Sequence, residues 1–270
     1  MTGELQISEL SVYPVKSLAG VSVERAALTP FGLAGDRRWM LVDDQGLFIT
    51  QRDHPHLARC KAQSGRDSLT LQWNDATLTV PIPDGTASTR AVEVWGDGVA
   101  ALDAGNDAAQ WCQQYLQLPC RLVYMPETAQ RLADPEYARP GQRVSFADGF
   151  PLLLISHASL DELNRRLPEP VPMNRFRPNI VVSGCQPFAE DEWRQIQIGD
   201  QVFSVAKPCS RCVMPSIDQA TGARDRDINR VLASFRRWEG QIWFGQNLSY
   251  DIQPDTTTEI ATGQSVRVLD

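Results

Sequence analysis

The segment from Lys207 to Pro215 carries the densest group of reactive side chains in the sequence. Cys209 and Cys212 lie three positions apart in Cys-Ser-Arg-Cys, with Lys207 and Arg211 close to them. A neighbouring cation favours the thiolate over the thiol, and the thiolate is the form that binds metals. This segment is therefore the first candidate for a metal or redox site.

Four interpretations of the two cysteines are open. A structural zinc site needs four ligands, but there is no second Cys-x-x-Cys, and the only histidines are His54, His56 and His157, of which the first two have the wrong spacing for a zinc pair. A thioredoxin-like dithiol needs a βαβ unit nearby, and the pattern shows none. In a third interpretation, one cysteine is the single thiolate ligand to a metal whose other ligands are not protein atoms. In the fourth, both are half-buried thiols in a loop.

Three further clusters place cations at the ends of predicted strands. Lys16 and Ser17 follow one strand, Gly35-Asp-Arg-Arg38 precedes another, and Arg175-Phe-Arg-Pro-Asn179 leads into a third. An isolated surface cation is usually only solvated. The chain as a whole is acidic, with 26 Lys and Arg against 33 Asp and Glu and a net charge of −7. Together the clusters indicate an anionic, phosphate-bearing ligand, because Arg clamps phosphate with two hydrogen bonds.

The elements that must position these residues differ between the two halves of the chain. In residues 1–125, short strands alternate apolar and polar positions, and hairpins are predicted for 69–73 with 78–82 and for 40–43 with 48–51. A further strand at 91–95 runs into a Gly-Asp-Gly turn, and the only predicted helix in this half is 107–116. Short strands at this spacing favour a small barrel or sandwich.

Residues 126–270 mix strands and helices after a polar, proline-rich stretch, where we place a domain boundary. Apolar runs predict buried strands at 152–155, 179–183 and 202–206, with a closing strand at 266–269. Ser159 and Glu162 form a capping box that predicts the start of a helix. A second helix follows from the stripe of Ile228, Val231, Leu232 and Phe235. The predicted fold class is mixed α/β and mostly β.

Composition excludes several classes of protein. Hydrophobic residues make up 42% and charged residues 22% of the 270 positions, which is typical of a globular chain and not of a disordered one. The acidic balance argues against a general nucleic-acid binder. No apolar window predicts a membrane span, and the N-terminus lacks the pattern of a signal peptide. We therefore expect a cytoplasmic protein whose six cysteines are mostly reduced.

Six motifs, in this order, resemble those of the MOSC-domain family. They are Tyr13-Pro-Val-Lys-Ser17, Gly35-Asp-Arg37, Phe146-Ala-Asp-Gly149, Asn174-Arg-Phe-Arg-Pro-Asn-Ile-Val-Val-Ser183, Lys207-Pro-Cys-Ser-Arg-Cys212 and Phe244-Gly-Gln-Asn247. The match covers nearly the whole chain and is to the branch that includes the mitochondrial amidoxime-reducing component and its bacterial relatives. The resemblance implies an N-terminal β-barrel lobe, residues 1–125, packed on a MOSC β-barrel with peripheral helices, residues 126–270.

The resemblance also implies a molybdenum cofactor, a Mo-pyranopterin, between the two lobes. The family's protein ligand to the metal corresponds to Cys212, which the resemblance also makes the catalytic residue. The other positions that match the family's cofactor contacts are Lys16, Ser17, Arg37, Asp148, Gly149, Arg177, Ser210, Arg211 and Asn247. Asn247 departs from the pattern, because animal relatives carry a tyrosine at that position.

By the same resemblance, the chain is expected to reduce N-hydroxylated compounds to amines; hydroxylamines, amidoximes and N-hydroxylated bases are examples. The sequence has no ferredoxin-like cysteine cluster, no Gly-x-Gly-x-x-Gly fingerprint and no P-loop. We therefore expect the electrons to come from a separate flavoprotein or iron–sulfur reductase. The alternatives are a carrier of the cofactor or of sulfur without turnover, and a degenerate family member with a structural role.

Overall fold

The computed structural model describes residues 3–251 and 258–269, and strands predominate among them. The expected fold class, mixed but mostly β, is confirmed. Within these residues, no helix has both the length and the apolar character that crossing a membrane requires.

Nineteen strands are formed by the described residues: β1 (Gln6–Val12), β2 (Val21–Val23), β3 (Arg25–Thr29), β4 (Gly32–Leu33), β5 (Trp39–Val42), β6 (Lys61–Ser64), β7 (Ser68–Trp73), β8 (Ala76–Pro81), β9 (Thr89–Val94), β10 (Asp97–Asp103), β11 (Arg121–Tyr124), β12 (Leu152–Ser156), β13 (Ile180–Ser183), β14 (Gln195–Ile198), β15 (Gln201–Ser210), β16 (Arg237–Trp238), β17 (Gln241–Tyr250), β18 (Glu259–Ala261) and β19 (Val266–Leu269). The α-helices are α1 (Asn106–Trp111), α2 (His157–Asn164) and α3 (Asp227–Phe235), and a π-helical turn, Cys112–Leu116, continues α1. Short 3₁₀ turns lie at Pro55–Arg59, Met173–Arg175, Ala189–Asp191 and Met214–Ser216.

The largest sheet has nine strands and curls into a half-barrel. Its order is β19-β14-β15-β17-β12-β13-β1-β2, with β16 paired to β17. The strands β12 and β13 run parallel, and α2 lies in the connection between them. Both faces of the sheet are covered: one by the core around Ile7, Phe203 and Leu248, the other by α2 and α3 through Leu163 and Leu232.

Two smaller sheets, β5-β11-β10-β9 and β6-β7-β8, share a second core with α1. The first strands of the chain do not belong to them, because β1 and β2 complete the large sheet beside β13. The chain therefore crosses from the large-sheet core at Val12 to the second core at Val15. Lys16 and Ser17 follow this crossing directly. The domain boundary near residue 126 stays a prediction.

Most predicted elements are present. The hairpin of β7 and β8, the helix at 107–116, the buried strands β12 and β13, α3 and the closing strand β19 are confirmed. The strand predicted at 202–206 is longer than expected, since β15 runs on to Ser210 and carries Cys209 within it.

Two local predictions differ from the structure. The hairpin predicted for 40–43 with 48–51 is shorter than expected: Phe48 bridges Val42 and the Ile49 N–H donates to the Leu41 carbonyl oxygen at 2.8 Å, but the backbone turns after Thr50, whose carbonyl oxygen accepts from the N–H groups of Asp53 and His54. The helix α2 is capped by Ser156, whose Oγ accepts from the backbone N–H of Ser159, so the helix begins before the predicted capping box.

Candidate functional site

A cleft with a cavity volume of about 130 Å³ brings all ten predicted site residues together. It is lined by Lys16, Ser17, Arg37, Asp148, Gly149, Arg177, Ser210, Arg211, Cys212 and Asn247. Side chains that had not been assigned to the site also line it, among them Thr50, Arg52, Arg175, Cys209 and Met214. Residues from both halves of the chain therefore share one concave surface.

Three of the lining residues lie on strained backbone. Ser17, Arg37 and Arg177 have φ values of +66°, +46° and +56°. Non-glycine residues seldom adopt this left-handed conformation, which costs on the order of 1–3 kcal/mol and is concentrated at functional sites. The backbone N–H of Arg37 donates to the Tyr13 carbonyl oxygen at 2.7 Å, which helps to hold one of these conformations. Strain at three predicted residues points to function in this cleft.

Two guanidinium groups of the cleft stack on the ring of Tyr13. The Cζ atoms of Arg37 and Arg177 both lie over this ring, each 4.3 Å from its centroid. Arg37 Nη1 also donates to Asp36 Oδ2 at 2.7 Å, and the Asp36 side chain is completely buried. Arg177 Nη1 donates to the Leu18 carbonyl oxygen at 2.8 Å. Stacking and hydrogen bonding therefore fix both cations in place.

The charge of this pair is only partly balanced. Burial opposes the charge of Arg37, but the Asp36 carboxylate outweighs it and raises the pKa of Arg37. Burial lowers the pKa of Arg177 to about 10, and no carboxylate in the described part of the chain forms an ion pair with it. A buried cation without an anionic partner favours an anionic ligand.

Lys16 and Asp148 form an ion pair on the wall of the cleft. Lys16 Nζ donates to Asp148 Oδ1 at 2.6 Å, and Trp95 Nε1 donates to the same oxygen at 2.9 Å. Partial enclosure by the cleft tends to raise the pKa of Asp148, but Lys16 and these hydrogen bonds outweigh it and hold the pKa well below its usual range. Burial lowers the pKa of Lys16 in spite of its partner. Asp148 is therefore an ionised acceptor, and 73% of its side-chain surface is exposed.

The two cysteines differ in their surroundings. The pairing of β15 with β17 shifts register before and after Pro208, and such bulges redirect the following side chains. Cys209 is half-buried and packs against the apolar core under α3, and Arg211 Nη1 lies 3.0 Å from its sulfur. Cys212 is exposed, with the backbone N–H of Met214 3.5 Å from its sulfur. Cys212 is the better placed of the two to bind a ligand in the cleft.

The zinc interpretation finds no support in the described residues. No group of three or more His, Cys, Asp and Glu side chains among residues 3–251 and 258–269 is arranged to hold a metal ion. The rings of His54 and His56 instead lie against each other, and that of His56 lies against Trp73. A thiolate at Cys212 would therefore need the other ligands of its metal to come from a cofactor.

Two further guanidinium groups contain buried nitrogen atoms without a hydrogen bond to the described residues. Arg175 donates from Nη2 to Asp218 Oδ2 at 2.9 Å, whereas its Nε and Nη1 atoms have no partner. Arg211 donates from Nη2 to the Phe176 carbonyl oxygen at 2.7 Å, and its Nε atom has no partner. A buried unpaired N–H group costs roughly 1–3 kcal/mol. Free donors, cations and a soft thiol in one cleft fit an anionic cofactor that carries a thiolate-binding metal.

Sequence reasoning left out two cations of the cleft. Arg175 lies two positions before Arg177 in the same motif, so its strand-end position was a usable signal, although it matches no family contact. Arg52 directly follows the strand predicted at 48–51, so the same strand-end signal was available for it, although it belongs to no family motif. Asn247 Nδ2 donates to the Pro208 carbonyl oxygen at 3.4 Å, a long contact. Cys185 lines a separate groove near the N-terminus.

Comparison with known proteins places this cleft in context. Residues 4–119 match the family model of the MOSC N-terminal beta barrel domain, and residues 141–267 match that of the MOSC domain. The chain is 36% identical over 245 residues to mitochondrial amidoxime-reducing component 1 of Homo sapiens, which covers 86% of this chain and 72% of the relative. It is also 36% identical over 241 residues to the Mus musculus protein of the same name, with 85% and 71% covered.

A second group of relatives is longer than this chain. The chain is 35% identical over 279 residues to molybdenum cofactor sulfurase of Drosophila grimshawi. That alignment covers 98% of this chain but 34% of the relative, so the chain spans about a third of the sulfurase.

Proposed function

The chain belongs to the MOSC-domain family, and on that premise we propose that it is a molybdenum-cofactor-dependent oxidoreductase that reduces N-hydroxylated compounds to amines. The observation that carries this proposal is the cleft itself. Ten residues, matched by sequence resemblance alone and scattered between Lys16 and Asn247, line a single cavity with an exposed thiol and several buried cations.

The residues that would hold the cofactor follow from their chemistry. Cys212 would supply the thiolate ligand to the metal. The guanidinium groups of Arg37 and Arg177 are fixed by Tyr13 and suit a phosphate group. Asp148 Oδ2 accepts no hydrogen bond from the described residues and is free to accept one from a pterin N–H. The bound cofactor would supply two-electron chemistry, with transfer of the oxygen atom from nitrogen.

The protein's own residues prepare the cleft for this ligand. Lys16 keeps Asp148 ionised, so that this carboxylate accepts hydrogen bonds and does not donate one. Gln219 Nε2 donates a hydrogen bond to Gln51 Oε1 at 3.0 Å, and Gln219 Oε1 accepts one from Arg177 Nη1 at 3.2 Å. Because these contacts join segments from both halves of the chain, they hold the two walls of the cleft at a fixed separation.

The substrate class and the electron source are part of the same proposal. The relatives named as amidoxime-reducing components support N-hydroxylated substrates. We assign electron supply to a separate flavoprotein or iron–sulfur reductase, since the sequence shows no dinucleotide fingerprint. A reducing compartment such as the cytoplasm agrees with six cysteines that are all free thiols.

The test is to prepare the protein in cells that synthesise the cofactor and to measure its molybdenum content and turnover together. The proposal expects about one molybdenum per chain, as for a single thiolate site. It also expects reduction of benzamidoxime to benzamidine with a strong artificial one-electron donor. Molybdenum-loaded protein that leaves benzamidoxime and a simple hydroxylamine unchanged would contradict the proposal.

A second candidate is a carrier of the cofactor or of sulfur without turnover. The similarity to the sulfurase over 98% of this chain favours it, and the exposed Cys212 is accessible enough to carry a persulfide. Protein without molybdenum but with cyanide-releasable sulfur on Cys212 would favour the sulfur carrier. A molybdenum-loaded protein without activity would favour the cofactor carrier.

A further inference from the structure

Trp95 is an exposed aromatic residue at a position that its turn does not explain. It is the first central residue of the two-residue turn between β9 and β10, and both Trp95 and Gly96 have positive φ, +55° and +88°. Such turns favour Asn, Asp or Gly at the first position. Trp95 is nevertheless there and is 49% exposed, so it incurs both backbone strain and the exposure of a large apolar surface.

The contacts of Trp95 tie it to the cleft. Its Nε1 atom donates to Asp148 Oδ1 at 2.9 Å. The Arg52 guanidinium carbon lies over the ring, 4.5 Å from the centroid, and Lys16 Nζ lies 5.9 Å from it. Asp148, Arg52 and Lys16 all line the cleft. The indole lines a neighbouring groove that shares Asp148 and Gly149 with the cleft, and three lining residues of the cleft hold it at their common border.

This arrangement fixes the ring and leaves part of it exposed, although Arg52 lies over one face. The hydrogen bond to Asp148 sets the direction of the indole, and the Phe48 ring, 5.1 Å away at 52°, supports it from the side. About half of the Trp95 surface is still exposed. A fixed, half-exposed aromatic ring loses little entropy on binding and offers a flat surface to a planar partner.

We propose that Trp95 is the stacking platform for planar, conjugated N-hydroxylated substrates, such as aryl amidoximes and N-hydroxylated heteroaromatic bases. The inference rests on the proposed function and adds to it the class of compound that the cleft prefers. Aromatic rings stack in offset geometry with a gain beyond that of buried area. Aliphatic amidoximes and hydroxylamine offer no such ring, so the platform discriminates between the two classes.

The test compares two substrates in matched variants of the molybdenum-loaded protein. In Trp95→Ala we expect the KM for benzamidoxime to rise about tenfold, the factor of a single stacking contact. Because Trp95 also donates to Asp148, both KM values are compared at equal molybdenum content, and the KM for acetamidoxime should rise less than that for benzamidoxime. Trp95→Phe retains a ring and should keep most of the preference. Trp238→Ala is the control, because Trp238 is also exposed but packs on Arg236 and Trp243, which lie outside the lining of the cleft.

The outcomes separate this inference from the proposed function. An equal rise in KM for both substrates, or the same change in Trp238→Ala, overturns the platform. Calorimetric titration with benzamidine and with acetamidine tests the platform without turnover. If the wild type reduces neither substrate, the proposed function fails. The platform then stands only if benzamidine binds more weakly to Trp95→Ala than to the wild type, and it is overturned if binding is unchanged.

Discussion

Arg37 donates a hydrogen bond from Nη2 to the backbone carbonyl oxygen of Arg177, 3.2 Å away, although 140 positions separate the two residues. Both lie on left-handed backbone and both stack on Tyr13. Arg37 comes just before β5, in one of the smaller sheets, and Arg177 comes just before β13, in the large sheet. An anion that binds both guanidinium groups therefore joins the two walls of the cleft.

Arg37→Ala is expected to destabilise the cofactor-free protein by about 3–5 kcal/mol, because it leaves the completely buried Asp36 carboxylate without its cation. Urea unfolding measures this loss. Arg165→Ala, at an exposed position just after α2, should change the free energy of unfolding by less than about 0.5 kcal/mol. Adding Asp36→Asn to the Arg37 variant should recover part of the loss, and no recovery would show that Asp36 is not the cause.

Asp148→Asn should remove a pH-dependent part of the stability. The pKa of Asp148 is lowered in the folded protein, so the ionised carboxylate stabilises it above the ordinary value of 3.8, and this contribution disappears as the pH falls below that value. We therefore expect the wild type to be more stable than Asp148→Asn at pH 7 and the gap to narrow as the pH falls below about 4.

The measurement is urea unfolding of both proteins between pH 3 and pH 7. Asp44→Asn, on an exposed turn, is the matched control and should show no gap of this kind. A difference between the wild type and Asp148→Asn that is constant with pH would show that the ion pair with Lys16 does not stabilise the fold.

Arg175→Met should weaken anion binding without destabilising the protein. Met removes two buried nitrogen atoms that have no partner in the described structure. Asp218 Oδ1 keeps the backbone N–H groups of Ala220 and Thr221, and water can replace Arg175 at Oδ2 because 28% of the Asp218 side chain is exposed. The free energy of unfolding of the cofactor-free protein should therefore change by less than about 1 kcal/mol.

Inorganic phosphate is the probe for this variant. Phosphate should raise the melting temperature of the wild type by mass action, and it should do so less in Arg175→Met. Arg165→Met makes the same change at an exposed position just after α2 and should respond like the wild type. An equal response of Arg175→Met and the wild type would remove Arg175 from the anion site.

The sequence allows the elements to be predicted where one pattern dominates. The alternation of Leu69, Leu71 and Leu78 is enough to predict the hairpin of β7 and β8. The start of α2 was wrong because two serines compete for the cap. Ser156 takes it, since the chain leaves β12 in extended conformation there, and the Ser159 hydroxyl instead donates to buried Glu190. Which serine caps the helix therefore depends on Glu190, which lies 31 positions from Ser159 in the sequence.

The residues of the cleft also differ in how far the sequence could predict them. Family motifs predicted which ten residues line the cleft. They could not predict that β1 crosses into the large sheet, because that pairing depends on partners in β13. Nor could they predict Arg52 or Trp95, whose places at the cleft follow from a turn and from stacking between segments distant in sequence. Packing between segments distant in sequence determines these contacts, and a local pattern of apolar residues cannot predict them.

Cys212→Ala is expected to abolish turnover and molybdenum retention, because it removes the proposed thiolate ligand. Cys209→Ala should retain most of both, since Cys209 is half-buried against the core under α3. Cys185→Ala is the control, because that half-exposed thiol lines a different groove. Molybdenum content, measured beside activity, separates loss of the ligand from loss of folding. Equal losses in Cys209→Ala and Cys212→Ala would instead favour a dithiol site.

Turnover is expected to require electrons from a separate reductase. The sequence has neither a Gly-x-Gly-x-x-Gly fingerprint nor a ferredoxin-like cysteine cluster, and the proposed function assigns electron supply to a separate reductase. Molybdenum-loaded protein should therefore reduce benzamidoxime with a strong one-electron donor and be nearly inactive with NADH or NADPH alone. Adding a flavoprotein or iron–sulfur reductase should restore turnover. Docking of the reductase would be transient and polar, so the rate of turnover with the reductase should fall as salt screens the surface charges. The rate of turnover with the artificial donor should change less. Sustained NADPH-dependent turnover by the purified chain would reveal a redox centre of its own and refute the need for a partner.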